Sequence, residues 1–390
     1  MRVKLKDVAD RIKGNEDRLV TKLPYYLGGE HYESGAIAIY DKGLIHSDEG
    51  RKLGFKFHFP FQKGDTIFMA RNPHLKKAGM VMYDGICSDA SYILRTKDES
   101  VLLGRYLPLV MQDDRTWRFF EREKSGSTNF LMNWKELKEY EFELPDIETQ
   151  CKIADLAWAM EETKQAYRRL LEKTDELVEA RFVDMFGNPA TNSKGLKQLP
   201  LKDCLNGIEN GTSFVCSNDA RTGNHPAVLK LSAATYGIYK PEENKAVLHE
   251  DDFITDAEVH DGDLLFTRKN TPELVGISAY VRHTPPKLML PDIIFRLKTK
   301  ESCNKIFLWK LLNHYLFRNT IRNLANGSAN SMVNISKERL GSMPIILPPI
   351  DQQKDFERFV DQAAASKSAL QHAIAALQKT YRKLVSERLG

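Results

Sequence analysis

Two short segments match, loosely, the carboxylate-carboxylate-lysine pattern of metal-dependent nucleases. They are Pro145-Asp146 and Glu162-Thr163-Lys164. Both lie along one predicted helix, about 16 residues or ~24 Å apart. Carboxylates that share two metal ions must converge on ions about 4 Å apart, so these segments cannot form such a site. The five cysteines are scattered without a closely spaced pair, and we therefore expect neither a metal site nor a disulfide framework.

The motifs of cofactor-dependent catalysis are also missing. No two of the 23 glycines are separated by a single residue, which excludes a G-x-G cofactor loop, and no Walker A loop is present. Gly187-Asn188-Pro189-Ala190 begins like the polar-Pro-Pro-aromatic tetrad of a methyltransferase but lacks the second proline and the aromatic residue. The sequence Gly-Asn-Pro is instead typical of a turn. We expect no cofactor, no catalytic residues and no enzymatic activity in this chain alone.

The composition is that of a folded protein with several domains. The chain has 390 residues, 42% of them hydrophobic, and 57 basic against 53 acidic residues. This length predicts two or three domains. No apolar stretch approaches the ~18–20 residues of a membrane span, and the start of the chain lacks a signal-peptide core, so we expect a soluble, cytoplasmic protein. With a net charge of only +4, any contact with nucleic acid must come from folded surfaces.

The elements that would position any site occur twice, because the chain is a tandem repeat with a period near 200 residues. Five matched segments appear in the same order. They are Leu5-Lys6-Asp7-Val8 with Leu201-Lys202-Asp203-Cys204, Gly64-Asp65 with Gly262-Asp263, Tyr92–Lys97 with Phe295–Lys300, Gly126–Asn129 with Gly327–Asn330, and Leu144–Gln150 with Leu347–Gln353. The two halves are therefore copies of one unit.

Each copy is predicted to be a mixed α/β globule followed by a long helix. Short apolar runs that open at the Gly-Asp turns indicate strands at 65–69 and 263–267, and further strands are expected at 277–281 and 293–297. Helical periodicity covers 102–120 and 307–321.

The two long helices carry an apolar seam with alternating spacings of three and four residues, which is typical of a coiled coil. The seam residues proposed for helix pairing are Ile153, Leu156, Met160, Tyr167, Leu170, Leu177, Phe356, Phe359, Leu370, Ile374, Leu377 and Leu384. Two such helices in one chain most simply pair with each other. The predicted fold class is thus an α/β (α+β) tandem repeat whose helices form an antiparallel coiled coil. The alternatives are that each helix packs on its own globule or pairs between chains.

The helix start Leu347-Pro348-Pro349-Ile350-Asp351-Gln352-Gln353, followed by a long seam helix, resembles the specificity subunit of type I DNA restriction-modification systems. The junction Arg181–Pro189 is similar to that family's entry into its second recognition domain. The first copy departs from the pattern, with Asp146 in place of the second proline. The resemblance covers essentially the whole chain and divides it into recognition domain 1 (1–145), central spacer helix (146–187), recognition domain 2 (188–347) and C-terminal spacer helix (348–390).

The resemblance implies a non-catalytic subunit that binds double-stranded DNA. Each recognition domain would read one half of a split, asymmetric target. The paired helices would set the gap and dock two adenine-N6 methyltransferase subunits, and a restriction/translocase subunit would join the complex. No membrane contact is implied.

Base and phosphate contacts need forked or flexible donors such as Arg, Lys, Asn and Ser. The loop after each Gly-Asp strand, the Gly-Ser segment and the basic helix before that segment supply them in both copies. The candidate DNA-binding residues are Arg71, Asn72, His74, Lys76, Lys77, Arg118, Arg122, Lys124, Ser127, Thr128, Asn129, Arg268, Lys269, Asn270, Arg318, Arg322, Ser328 and Asn330. A competing interpretation is a coiled-coil adaptor with two duplicated protein-binding domains, in which these polar loops are simply solvated.

Overall fold

The computed structural model describes residues 1–125, 130–327 and 332–388. The chain divides into two compact units. Unit 1 comprises Met1–Leu170 together with Leu370–Gly390, and unit 2 comprises Leu171–Ala369. Each unit therefore contains one globule and a part of both long helices.

The helices of the described chain are short except for two. Those two, α5 (Ile147–Phe186) and α9 (Ile350–Arg388), contain 40 and 39 residues. The short helices are α1 (Leu5–Val8), α2 (Leu107–Gln112), α3 (Asp114–Glu123), α4 (Trp134–Leu137), α6 (Lys305–Asn313), α7 (Arg318–Arg322) and α8 (Lys337–Ser342). No helix among the described residues is both long and apolar enough to cross a membrane.

Unit 1 contains a five-stranded sheet in the order β2-β10-β7-β8-β4, a four-stranded sheet in the order β5-β3-β9-β6, and the pair β1-β11. The strands are β1 (Arg2–Lys4), β2 (Ala9–Ile12), β3 (Tyr25–Leu27), β4 (Ala38–Ile39), β5 (Gly43–Leu44), β6 (Phe57–Phe61), β7 (Thr66–Met69), β8 (Ala78–Val81), β9 (Gly85–Ser88), β10 (Ser91–Thr96) and β11 (Glu141–Glu143).

Unit 2 contains a four-stranded sheet in the order β13-β20-β16-β18, a three-stranded sheet in the order β15-β14-β19, and the pairs β12-β22 and β17-β21. The strands are β12 (Gln198–Pro200), β13 (Leu205–Asn210), β14 (Ala227–Leu229), β15 (Asn244–Ala246), β16 (Leu264–Thr267), β17 (Lys269–Asn270), β18 (Ser278–Tyr280), β19 (Leu288–Met289), β20 (Ile294–Thr299), β21 (Val333–Asn334) and β22 (Pro344–Ile346).

The main sheets of the two units share one strand order. The series β2-β10-β7-β8 in unit 1 and β13-β20-β16-β18 in unit 2 are both antiparallel throughout. In each, the aspartate of the Gly-Asp turn pairs with an arginine of the neighbouring strand. Arg95 Nε lies 2.7 Å from Asp65 Oδ1, and Arg296 Nη1 lies 3.0 Å from Asp263 Oδ2. A nearly buried carboxylate needs such a partner, which explains why Gly-Asp appears in both copies.

Two of the predicted helices are interrupted. The stretch 102–120 forms α2 and α3, because Asp113 leaves the helical conformation and its side chain accepts a hydrogen bond from Arg115 N as the N-cap of α3. The stretch 307–321 forms α6 and α7, with His314 extended between them. In both places the helical periodicity continues across the interruption, which is why the pattern alone reads as one helix.

The long helices contribute to the cores of both units. In unit 1, Ile153 and Ala157 of α5 belong to the main apolar cluster, against which Tyr381 and Leu384 of α9 also pack. In unit 2, Phe356 of α9 lies with its ring centroid 5.4 Å from that of Phe182 of α5.

The buried face of α5 lies about one residue away from the predicted seam. The predicted residues Leu156, Leu170 and Leu177 are exposed, Met160 and Tyr167 are half-buried, and only Ile153 is buried. The buried residues are instead Ala154, Ala157, Glu161, Lys164, Val178 and Phe182. The predicted seam consists of large apolar residues, whereas this face has alanines, which allow close approach, and a buried ion pair of 2.6 Å between Glu161 and Lys164. In α9, Phe356 is buried, and Phe359, Leu370, Ile374, Leu377 and Leu384 are half-buried.

Candidate nucleic-acid interface

In unit 1, the loop after β7 and the segment that follows the Gly-Ser sequence lie side by side. Arg71 forms an antiparallel bridge with Leu131, and Asn72 N donates to Phe130 O at 2.8 Å. Asn72 adopts a left-handed conformation with φ of 54°, a region that asparagine tolerates better than most residues. These backbone contacts turn the loop outward at the end of β7.

The side chains of this loop differ in their freedom to bind. Arg71 and His74 are exposed, and the ring of His74 meets Phe130 edge-on. Lys76 Nζ lies 3.0 Å from Asp114 Oδ1, and Lys77 Nζ donates to Gly29 O at 2.6 Å. Arg71 and His74 are therefore the most available donors, whereas Lys77 supports the loop.

Helix α3, which has three arginines and three acidic residues, adds a second group of cations beside that loop. Arg118 is exposed, and with His74, Lys76 and Asp114 it lines an open depression. Arg122 pairs with Glu123 at 2.7 Å, and Lys124 pairs with Glu121 at 2.6 Å while lying over the ring of Phe130. Ser127, Thr128 and Asn129 lie outside the described residues.

The corresponding region of unit 2 has the same antiparallel backbone pairing but different side chains. Lys269 and Asn270 form the short strand β17, which pairs with β21. Arg268 Nε donates to Asn334 Oδ1 at 3.1 Å, and its guanidinium lies over the ring of Phe295. Lys269 is exposed, whereas the candidates Ser328 and Asn330 lie outside the described residues.

Two predicted DNA-binding residues in unit 2 are internal. Asn270 is buried; its amide nitrogen donates to Thr235 Oγ1 at 3.2 Å, and its amide oxygen accepts from Thr271 N. Arg318 is 9% exposed and donates to Gly276 O at 2.8 Å and Val275 O at 2.6 Å. Its role is to hold this turn, where Gly276 has φ of 72°.

Burial, assisted by the nearby charge of Arg322, also lowers the pKa of Arg318 to about 10. The guanidinium therefore stays charged at neutral pH and donates to backbone carbonyl groups. Arg322, one turn further along, is exposed and donates to Glu273 O at 3.0 Å. The sequence shows two arginines four residues apart but not which of them faces inward. Arg322 therefore remains a candidate, and Arg318 does not.

The start of each long helix is fixed to its globule by a buried glutamine. Gln150 Oε1 accepts from Leu103 N at 3.0 Å, while its Nε2 donates to Val101 O and Pro145 O, both at 2.9 Å. Gln353 repeats this with Asn304 N at 2.8 Å, Pro348 O at 2.7 Å and Ser302 O at 3.2 Å. The terminal glutamine of the repeated Leu-Pro motif is therefore a structural anchor and not a nucleic-acid contact.

No protein-family model matches this chain. Its sequence is similar to two curated proteins of Escherichia coli. The match to the EcoEI type I restriction enzyme specificity subunit is 35% identical over 188 residues, which is 46% of this chain and 31% of that protein. The match to the EcoKI specificity subunit of strain K12 is 23% identical over 199 residues, which is 50% of this chain and 42% of that protein. The matched regions span less than half the length of these relatives.

Two solved structures share the fold over the whole chain. The S subunit of the type I restriction-modification system of M. genitalium has a TM-score of 0.58 at 13% identity, and 96% of it is covered. A chain from a structure of type I restriction-modification complex assembly has a TM-score of 0.57 at 18% identity, and 97% of it is covered. Both curated relatives are specificity subunits of type I restriction enzymes, and both similar structures come from type I restriction-modification systems. The resemblance of this chain to type I specificity subunits is thereby confirmed.

Proposed function

We propose that this chain is the non-catalytic, DNA-reading specificity subunit of a cytoplasmic type I restriction-modification complex. Recognition domain 1 (1–145) and recognition domain 2 (188–347) would each read one half of a split, asymmetric target. The observation that carries the proposal is the shared strand order of the two main sheets, combined with different side chains at the ends of β7 and β16. Two related but non-identical readers are what an asymmetric target requires.

The two long helices would pair as an antiparallel coiled coil that sets the gap between the half-sites. Contacts inside each unit support this pairing. In unit 2, Phe356 meets Phe182 while Lys367, later in α9, meets Asp175, earlier in α5. A 40-residue helix is about 60 Å long, or between one and two turns of B-DNA at ~34–36 Å per turn.

The same helices would dock two adenine-N6 methyltransferase subunits, and a restriction/translocase subunit would complete the assembly. The exposed leucines of α5 support a protein-binding role, because Leu156 and Leu177 are large apolar residues on a water-facing surface. Methyl transfer and cleavage would belong to those partners.

Co-expression of this chain with an adenine methyltransferase encoded beside it tests the proposal. N6-methyladenine would then be mapped across the host genome. We expect one motif of two short half-sites separated by a fixed gap, and no such motif in a host carrying the methyltransferase alone. Assembly without a chain-dependent motif would instead favour the adaptor with two protein-binding domains.

A further inference from the structure

Unit 1 presents an apolar tip made of Leu19, Val20 and Phe55, which we call the Phe55 tip. The three side chains are 68%, 76% and 78% exposed. The two loops that carry them are joined by one side-chain and one backbone hydrogen bond. Arg18 Nε donates to Leu53 O at 2.9 Å, and Glu16 N donates to His58 O at 2.8 Å. Such exposure of adjoining large apolar side chains indicates a contact surface.

The loop that carries Phe55 also carries three exposed cations, which follow the exposed Asp48 and Glu49. Arg51, Lys52 and Lys56 are exposed, and none of them lies within 4.0 Å of a carboxylate in the described chain. The nearby Asp17 is engaged with its own turn, since its Oδ1 accepts from Leu19 N at 2.9 Å. An aromatic side chain between unpaired cations is complementary to a base step between phosphates.

The Phe55 tip lies at the same end of the unit 1 sheets as the Arg71 loop. Asp89 N donates to Lys56 O at 3.0 Å, and the next residue, Ala90, accepts from Ala70 N at 2.8 Å. Arg71 follows directly. The tip is therefore continuous with the candidate nucleic-acid interface and not a separate face of the unit.

The position of unit 2 that corresponds to Phe55 is less exposed. Phe55 lies ten residues before Asp65, and Phe253 lies ten residues before Asp263, the equivalent turn aspartate of unit 2. Phe253 therefore occupies the corresponding position in sequence. Phe253 is half-buried, however, and packs against a small apolar cluster. It follows Glu250, Asp251 and Asp252, which are exposed and would repel phosphates.

We propose that Phe55 enters the DNA duplex as an apolar wedge at one base step of the half-site read by unit 1, while Arg51, Lys52 and Lys56 contact flanking phosphates. This inference rests on the proposed DNA-reading function. Apolar side chains inserted at a base step unstack and kink the duplex, which adds sequence preference through the cost of deforming that step. The wedge would give the two halves of the target different modes of reading.

The test uses the complex of the full chain with its adenine methyltransferase and a duplex that carries the mapped motif. 2-Aminopurine replaces one base at a time across both half-sites, and its fluorescence rises where stacking is lost. With the unaltered chain we expect a rise at one step of one half-site only. Phe55→Ala should abolish that rise and weaken binding about tenfold, whereas Phe55→Leu, still an apolar wedge, should retain most of both. Since Phe55 is exposed, the melting temperature should not change.

The flanking cations are tested by the salt dependence of the same binding. The double variant Lys52→Ala/Lys56→Ala should reduce the slope of log K against log salt by about 2, because each phosphate contact contributes about 0.9. Lys63→Ala is the matched control. Lys63 is also exposed, but it lies beside the Gly64 turn at the opposite end of β7. The slope of log K against log salt measured for Lys63→Ala should equal that of the unaltered chain.

Unchanged binding and unchanged fluorescence in Phe55→Ala would overturn the wedge. So would loss of the methyltransferase subunit from this variant with DNA binding intact, since the tip would then be a protein contact. Failure of the DNA-reading function would be seen separately, because the complex with the unaltered chain would then methylate no chain-dependent motif.

Discussion

Lys367 of α9 and Asp175 of α5 form an ion pair within unit 2, with Lys367 Nζ 2.6 Å from Asp175 Oδ1. They belong to segments far apart in sequence, and both project from long helices. The same helices also meet at Phe356 and Phe182. Phe356 comes before Lys367 in α9, whereas Phe182 comes after Asp175 in α5, so the two helices run in opposite directions here. The pair therefore reports on the proposed antiparallel association of the helices.

Reversing one charge of this pair should destabilise the protein slightly, and reversing both should restore it. The Asp175 side chain is mostly exposed, so we expect a coupling of only about 0.3–1 kcal/mol. A double-mutant cycle with Lys367→Glu, Asp175→Lys and the combined variant, followed by denaturant unfolding, measures it. A coupling of zero would count against helix pairing in solution.

Replacement of the buried anchor Gln353 should have a much larger effect. Gln353→Ala leaves Asn304 N and Pro348 O without their side-chain partner, which should cost about 2–3 kcal/mol in the free energy of unfolding. Gln352→Ala is the matched control, because Gln352 is exposed, and should change stability by less than about 0.5 kcal/mol. If Gln353→Ala and Gln352→Ala lowered the free energy of unfolding in urea equally, the hydrogen bonds of Gln353 would not contribute to stability.

The loop after β16 should be needed for target methylation but not for assembly. The double variant Arg268→Ala/Lys269→Ala removes a guanidinium held beside Asn334 and an exposed ammonium. We expect methylation at the mapped motif to be lost while the subunits still co-purify. Lys300→Ala, an exposed lysine at the other end of the sheet, should methylate normally. Unchanged methylation in the double variant would remove this loop from the interface.

Acid should weaken the attachment of α5 to the unit 1 globule through Glu33. Its pKa is lowered chiefly by hydrogen bonds from Arg168, at 2.7 and 2.8 Å, with burial opposing and Lys164 assisting. A carboxylate with a lowered pKa stabilises the folded state above its unfolded pKa, and this contribution is lost as the pH falls through the folded value. The stability difference between the unaltered chain and Glu33→Gln should therefore be largest near neutral pH and shrink below about pH 4.5. A difference that does not vary with pH would contradict this assignment.

The repeat and its turns were predictable because they depend on local chemistry. The Gly-Asp turns, the strands that follow them and the Leu-Pro helix starts recur in order, and each turn aspartate meets an arginine in its own unit. A pattern that is repeated twice carries evidence that a single motif lacks.

Which face of a helix is buried was much less predictable. Leu156 and Leu177 have the residue type of a seam but are exposed, whereas Glu161 and Lys164 are buried because they neutralise each other. The inward orientation of Arg318 depends on carbonyl groups 42 and 43 residues away in the chain. Such pairings are long-range and leave no trace in local periodicity.

The Phe55 tip was missed for a related reason. The run Arg51-Lys52-Leu53-Gly54-Phe55-Lys56 interleaves cations with apolar residues, which is a usable signal for nucleic-acid binding. In a chain rich in buried phenylalanines, however, an aromatic residue is expected to be in the core. Only the exposure of its side chain separates it from Phe57 and Phe61 of β6.

The most direct test of the central claim is a pair of methylation maps from Arg71→Ala and Lys269→Ala, each co-expressed with the methyltransferase and compared with the unaltered chain. Each replaces one exposed cation at the end of an equivalent strand, in unit 1 and unit 2 respectively. We predict that the first variant relaxes the sequence of one half-site only, that the second relaxes the other half only, and that the gap stays the same in both. Relaxation of the same half in both maps, or of neither, would contradict the division of the target between two readers.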